Sequence, residues 1–228
     1  MDYSQLEPRI LAHRSGDPKL IEAFNNDWDV YSVLVKYVLG LDESPDVIKE
    51  KYPDKRDVGK MIWLGLSYGM GMNKFRQEIS RGLGKDISYL EAEGYYQGIF
   101  GEFEGLRDYK EKLIAICEKQ GYITGMLGKH IYVPPQDVDQ KVINYDTQNS
   151  ASDLTCEAHM YMYKDVIRRE MKSYPCILVH DEGVWLVPEK ELDHFKKLAD
   201  FWLVDAYKTR MKVPLKIGIE EGQNWGFK

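Results

Sequence analysis

Cys176-Ile177-Leu178-Val179-His180-Asp181-Glu182-Gly183-Val184-Trp185-Leu186-Val187 consists of two apolar runs split by a His-Asp-Glu-Gly centre. β-Branched and aromatic residues around a turn-forming tetrapeptide predict a hairpin. Its tip presents carboxylates at the edge of a rigid sheet. Taken alone, the tip also reads as a plain turn, since Asp is common there. Outward from it, the sequence predicts a long helix over 138–172 before the hairpin, a helix over 189–207 opened by Pro188, and an alternating strand over 213–220. Residues 1–6 read as a strand that passes into a helix, with Pro8 near its first turn.

Between these ends the pattern is helical: 20–24, 30–41, 56–68 and 73–118, the last interrupted by glycines. Asp42 to Lys55, with Pro45, Pro53 and many charges, reads as a loop or a short, loosely attached helix. Gly69-Met70-Gly71 is a helix stop signal. Tyr122 to Val133 reads as a short hairpin closed by Pro134-Pro135. Strand, many helices, hairpin, helix, strand is an α+β order: an antiparallel sheet with a large helical insertion.

The chain has 228 residues, 43% of them apolar, which is enough for a sizeable core in one or two domains. A net charge of -6 argues against nucleic-acid binding when read alone, but a local cationic stripe binds phosphates on an acidic protein as well. Cys117, Cys156 and Cys176 are too scattered for a metal site or a disulfide framework and read as free core thiols. No signal peptide and no membrane-span-length apolar run is visible, so a soluble, cytoplasmic protein with no membrane partner is expected.

Two further features carry chemistry. Asp2 lies on the first strand-like segment, and two strand-borne carboxylates can hold a pair of divalent cations for phosphoryl transfer. Arg56, Lys60, Leu64 and Tyr68 are spaced by four and form one slowly turning helical stripe. Two cations, an aliphatic group and a phenol on one face suit a nucleoside triphosphate; an ordinary amphipathic helix with solvated cations has the same spacing.

Asp2 to His13 resembles the first motif of family A DNA polymerases, the DNA polymerase I and T-odd phage type. Arg56 through Lys60 to Tyr68-Gly69 resembles that family's fingers helix. Asn144 to Asp153 resembles its minor-groove segment, and Val179-His180-Asp181-Glu182 its third motif. Val213-Pro214-Leu215-Lys216 and Asn224-Trp225-Gly226 resemble its ending. The motifs run in family order over essentially the whole chain. The resemblance implies a partial right-hand polymerase: palm at 1–24, fingers at 25–135, palm again at 136–228, with thumb and exonuclease absent. It implies Asp2, Asp181 and the Tyr3 carbonyl as metal ligands for two Mg²⁺ ions, with Mn²⁺ as an alternative, and Glu182 as an auxiliary acid.

The same resemblance implies that Arg56 and Lys60 bind the triphosphate, with Lys60 donating a proton to the leaving pyrophosphate, and that Gln5, Glu7 and Leu64 line the nucleotide. Glu7 pairs with Tyr68 and excludes a ribose 2′-hydroxyl, while Tyr68, Asn144, Gln148 and His180 touch primer and template. Leu64 stands where the family usually has Phe or Tyr, a phage-type variation expected to alter selection at the 3′ position. Gln140, Lys129-His130 and Asn149 also depart from the usual residues, which implies a weaker DNA grip. The first catalytic residue follows Met1 directly, so a second polypeptide carrying the thumb and the rest of the palm is expected. The rival expectation is a non-catalytic polymerase-derived binding module.

Overall fold

The computed structural model describes residues 1–67 and 70–225. Strand β1 (Asp2–Tyr3) leads through Gln5, in a left-handed conformation, into helix α1 (Leu6–Ser15). Leu6, Ile10 and Leu11 are fully buried along α1. They seat it on α9 (Val138–Arg168), a single helix of 31 residues and, at the usual rise, about 46 Å long. The hairpin β4 (Tyr174–Val179) and β5 (Glu182–Leu186) follows, and β6 (Ile217–Gly218) closes an antiparallel sheet of order β4-β5-β1-β6. Helix α10 (Leu192–Leu203) packs on α9. The α+β order read from the sequence is therefore present.

The helical insertion comprises α2 (Pro18–Asn25), α3 (Val30–Val38), α4 (Pro45–Lys51), α5 (Pro53–Ser67), α6 (Met72–Leu83), α7 (Tyr89–Glu102) and α8 (Glu104–Gln120). Phe24, Leu34, Ile62, Phe75, Ile79 and Phe103 join it to the same continuous core as the sheet and α9. The small hairpin β2 (Tyr122–Thr124) and β3 (His130–Tyr132) returns the chain to α9, as expected from its glycines and β-formers.

Four details differ from the sequence reading. The 42–55 stretch is not loose. Ser44 caps α4, Ile48 is fully buried, and Pro45 and Pro53 each stand in a first helical turn, where the missing N–H costs nothing. The long helix stops at Arg168, before Glu170 turns to positive φ. The final strand shrinks to two residues. Val213 and Leu215 anchor their segment in the core, but Pro214 has no N–H to give a ladder. Of the three free thiols only Cys117 is in the core; Cys156 and Cys176 are exposed.

β4 is exposed along its whole length, including Tyr174, Ile177, Leu178 and Val179. No described helix is long and apolar enough to cross a membrane.

Candidate active site

The site begins with the β1–β5 pairing. Asp2 stands opposite Glu182, the Tyr3 N–H donates to the Asp181 carbonyl at 3.3 Å, and the Gly183 N–H donates to the Met1 carbonyl at 2.8 Å. In return the Met1 nitrogen donates to the Gly183 carbonyl at 3.0 Å. One register thus brings Asp2, Asp181 and Glu182 together at the end of two neighbouring strands. Tyr3 pins β1 from below: its ring is buried and its hydroxyl donates to the Leu203 carbonyl at 3.0 Å. Burial pushes the Asp181 carboxyl above its usual range, and the like charges of Asp2 and Glu182 push it further. Trp225 reaches the same corner, its indole N–H 3.4 Å from Glu182 Oε1. His180, at the turn, is exposed and has φ 53°.

The cationic stripe lies on α5. Val58, Ile62 and Trp63 bury one face, which leaves Arg56 and Leu64 half-buried and Lys60 exposed. Arg56 is engaged by a carboxylate: Nε donates to Asp29 Oδ2 at 3.0 Å and Nη2 to Oδ1 at 2.9 Å. Gln5 donates to the same Oδ1 at 3.3 Å. Asp29 also caps α3 by accepting from the Ser32 N–H and hydroxyl. A nearly buried Asp therefore joins the first-motif residue Gln5 to the helix that carries Lys60. Glu7 is half-buried at the start of α1. Tyr68, expected to complete the stripe and to pair with Glu7, lies outside the described residues, as does Gly226.

Asn144 and Gln148 occupy successive turns of α9, Gln148 exposed and Asn144 half-buried, its Oδ1 without a hydrogen-bond partner among the described residues. Their turn is tied to α1 and α8 by Asp146, which is fully buried. Asp146 accepts from Arg14 at 2.7 and 3.1 Å and from the Tyr109 hydroxyl at 2.6 Å.

Residues 1–227 match the model of DNA polymerase family A. The chain is a member of DNA polymerase family A. It is 30% identical to DNA polymerase I of Lactococcus lactis subsp. lactis (strain IL1403) over 233 residues, covering 98% of this chain and 25% of that protein. It is 28% identical to the thermostable DNA polymerase I of Thermus thermophilus, covering 99% of this chain and 26% of that protein. A solved POL domain of Pol1 from M. smegmatis, in complex with DNA primer-template and dNTP, superposes with a TM-score of 0.84 at 30% identity, covering 98% of this chain and 39% of that one. The family A chain thus spans about a quarter of the length of the curated relatives it matches.

Within this family A chain, several residues that organise the site escaped the sequence reading. Asp29 and Asp146 are two. Arg9 is a third: it is buried under β1, donates to the Ser4 and Pro214 carbonyls and lies 4.6 Å over the Phe24 ring, and burial lowers its pKa to about 10. His159 is a fourth. Of these only Asp29 carried a local signal, an Asp just before the apolar start of a helix.

Proposed function

We propose that this chain holds the nucleotidyl-transfer centre of a DNA-directed DNA polymerase. It adds deoxynucleoside triphosphates to a primer 3′ end on a template, in the cytoplasm of a bacterial or phage-infected cell. The observation that carries this reading is the single strand register that sets Asp2, Asp181 and Glu182 side by side, within a family A chain whose α5 offers Arg56, Lys60 and Leu64 on its open face. Residues 1–24 and 136–228 act as palm and 25–135 as fingers.

Two carboxylates and one carbonyl form a sparse donor set, and among the described residues no cluster of three or more acidic, His or Cys side chains surrounds a metal. That sparseness fits Mg²⁺, which keeps waters and substrate phosphates in its shell; Mn²⁺ accepts the same oxygens. The raised Asp181 pKa supports the fit: burial chiefly, and the like charges of Asp2 and Glu182 in addition, disfavour its bare carboxylate, and a cation would offset both. Asp2, Asp181 and the Tyr3 carbonyl would hold such ions, which would supply positive charge to offset the negative charge that develops in phosphoryl transfer.

The side chains do the rest by placement, since phosphoryl transfer needs positioning and charge more than covalent help. Arg56 exchanges Asp29 for phosphate oxygens. Lys60, exposed one turn further on, meets the leaving pyrophosphate and gives it a proton. Leu64, Gln5 and Glu7 line the sugar, and Asn144, Gln148 and His180 face primer and template. Glu182 assists near the primer terminus.

A second polypeptide docks on this chain. The apolar, solvent-facing edge strand β4 supports this reading, because such an edge is normally covered.

Primer extension by the chain, alone and with the product of the reading frame upstream, tests the proposal. Asp181→Ala is expected to abolish extension while leaving triphosphate binding within about threefold; extension that survives this substitution refutes the reading, and processive synthesis by the lone chain refutes the second polypeptide.

A further inference from the structure

Gly183 is the residue through which β5 meets everything around the acidic corner. It directly follows Asp181-Glu182 and exchanges two backbone hydrogen bonds with Met1, the neighbour of Asp2. Beneath it lies His159, from the middle of α9. A Cβ on residue 183 would stand 2.5 Å from His159 Nε2 and 3.0 Å from Nδ1, with Cε1 nearer still. Only a residue without a side chain lets β5 lie this close on the imidazole.

The ring is itself held in place. The Trp185 indole N–H, two residues along the same strand, donates to His159 Nδ1 at 3.1 Å, with the two rings 26° from coplanar. Trp185 is backed by Phe195 of α10 at 5.2 Å. Accepting at Nδ1 leaves the proton on Nε2, and Nε2 is buried without a hydrogen-bond partner among the described residues. His159 is only 6% exposed. A Met or Leu would fill this volume without burying an unpaired N–H, so packing alone does not call for histidine. Its acceptor toward Trp185 and the close seat of its ring against Gly183 do.

We propose that His159 is a positioning residue: it fixes β5 at two points, Gly183 and Trp185, and through the Gly183–Met1 pair sets the place of both strands that bear Asp2 and Asp181. Its relevance to catalysis rests on the polymerase reading above. The positioning itself does not.

The test uses the full chain with His159→Ala, Gly183→Ala and the double substitution, and reads amide hydrogen exchange at residues 3 and 183. It adds Mn²⁺ affinity by electron paramagnetic resonance, the metal ion alone serving as probe. Each single substitution is expected to speed exchange at both amides tenfold or more and to weaken Mn²⁺ binding in step, while amides in α3 and α5 keep their protection. The double substitution is expected to exchange no faster than His159→Ala, because the added methyl then meets no ring. Wild-type exchange in Gly183→Ala, multiplied effects in the double, or equal loss of protection throughout the helices would each overturn the proposal, the last by making His159 ordinary core. If the exchange pattern holds but wild-type chain binds Mn²⁺ no better than Asp181→Ala, the positioning role stands and the metal reading fails.

Discussion

Asp29 grips Arg56 with two parallel hydrogen bonds, 3.0 and 2.9 Å long, while capping α3 with the same carboxylate. The ion pair is partly open to water on the arginine side, which limits its worth, whereas the cap is buried. Asp29→Ala is expected to lower unfolding free energy by about 1–2 kcal/mol, most of it from the cap. Asp29→Asn keeps an acceptor for the Ser32 N–H and should lose less than half as much. Urea titration of both variants gives the comparison; equal losses would mean that the charge, not the cap, dominates.

Arg14, Tyr109 and Asp146 join α1, α8 and α9 around a carboxylate with no solvent exposure. Arg14→Ala strands that charge and is expected to cost about 3–5 kcal/mol. Tyr109→Phe removes one hydrogen bond and should cost about 1 kcal/mol. Chemical denaturation checks the ranking, which fails if the tyrosine matters as much as the arginine.

Gly59 of α5 lies against the backbone of α3: a Cβ there would stand 2.7 Å from Val35 Cγ2, with the Tyr31 carbonyl oxygen nearer still. A carbonyl cannot swing aside as a side chain can, so Gly59→Ala should push α5 off α3 and destabilise by about 1–3 kcal/mol. Gly94, inside α7, has open space around its Cα. Gly94→Ala should instead stabilise by about 0.5–1 kcal/mol. Thermal melts of the two variants are expected to move in opposite directions.

Burial pushes the His159 pKa down from 6.5 to about 4, and the nearby Met1 ammonium adds to the effect. The unfolded chain therefore binds a proton first as the pH falls. The stability this neutral histidine contributes is complete above pH 6.5 and is lost progressively toward pH 4, amounting to about 3 kcal/mol across the window. His159→Met removes the titrating group, so the gap between the two stability curves should change by about 3 kcal/mol between neutrality and pH 4, the wild-type chain losing stability relative to the variant as the pH falls. Denaturant midpoints at intervals between pH 4 and 7.5 measure it; parallel curves would place the proton elsewhere.

The catalytic-looking hairpin was legible because its apolar arms and turn residues act locally. The helical insertion was legible for the same reason, through periodicity and glycine stops. What an apolar arm faces is not a local property: Ile177, Leu178 and Val179 read the same whether buried or exposed, and they are exposed. The prolines at 45 and 53 misled because a breaker inside a helix and a starter in its first turn are the same residue. The organising contacts were hidden by distance along the chain. Arg56 meets Asp29 across 27 residues, Trp185 meets His159 across 26 and Arg14 meets Asp146 across 132. No window of periodicity spans such pairs.

The open strand β4 also bears on how the chain behaves at high concentration. Among the described residues it ends an antiparallel ladder, with no strand beyond it beside Ile177, Leu178 and Val179, and it carries no lysine or glutamate to repel a copy of itself. Its built-in deterrents are Pro175 and the register irregularity between Pro175 and Ile177, both near one end. Produced by itself, the chain is therefore inclined to associate edge to edge through the 177–179 end, and a lysine at Leu178 is the change that should keep it dispersed.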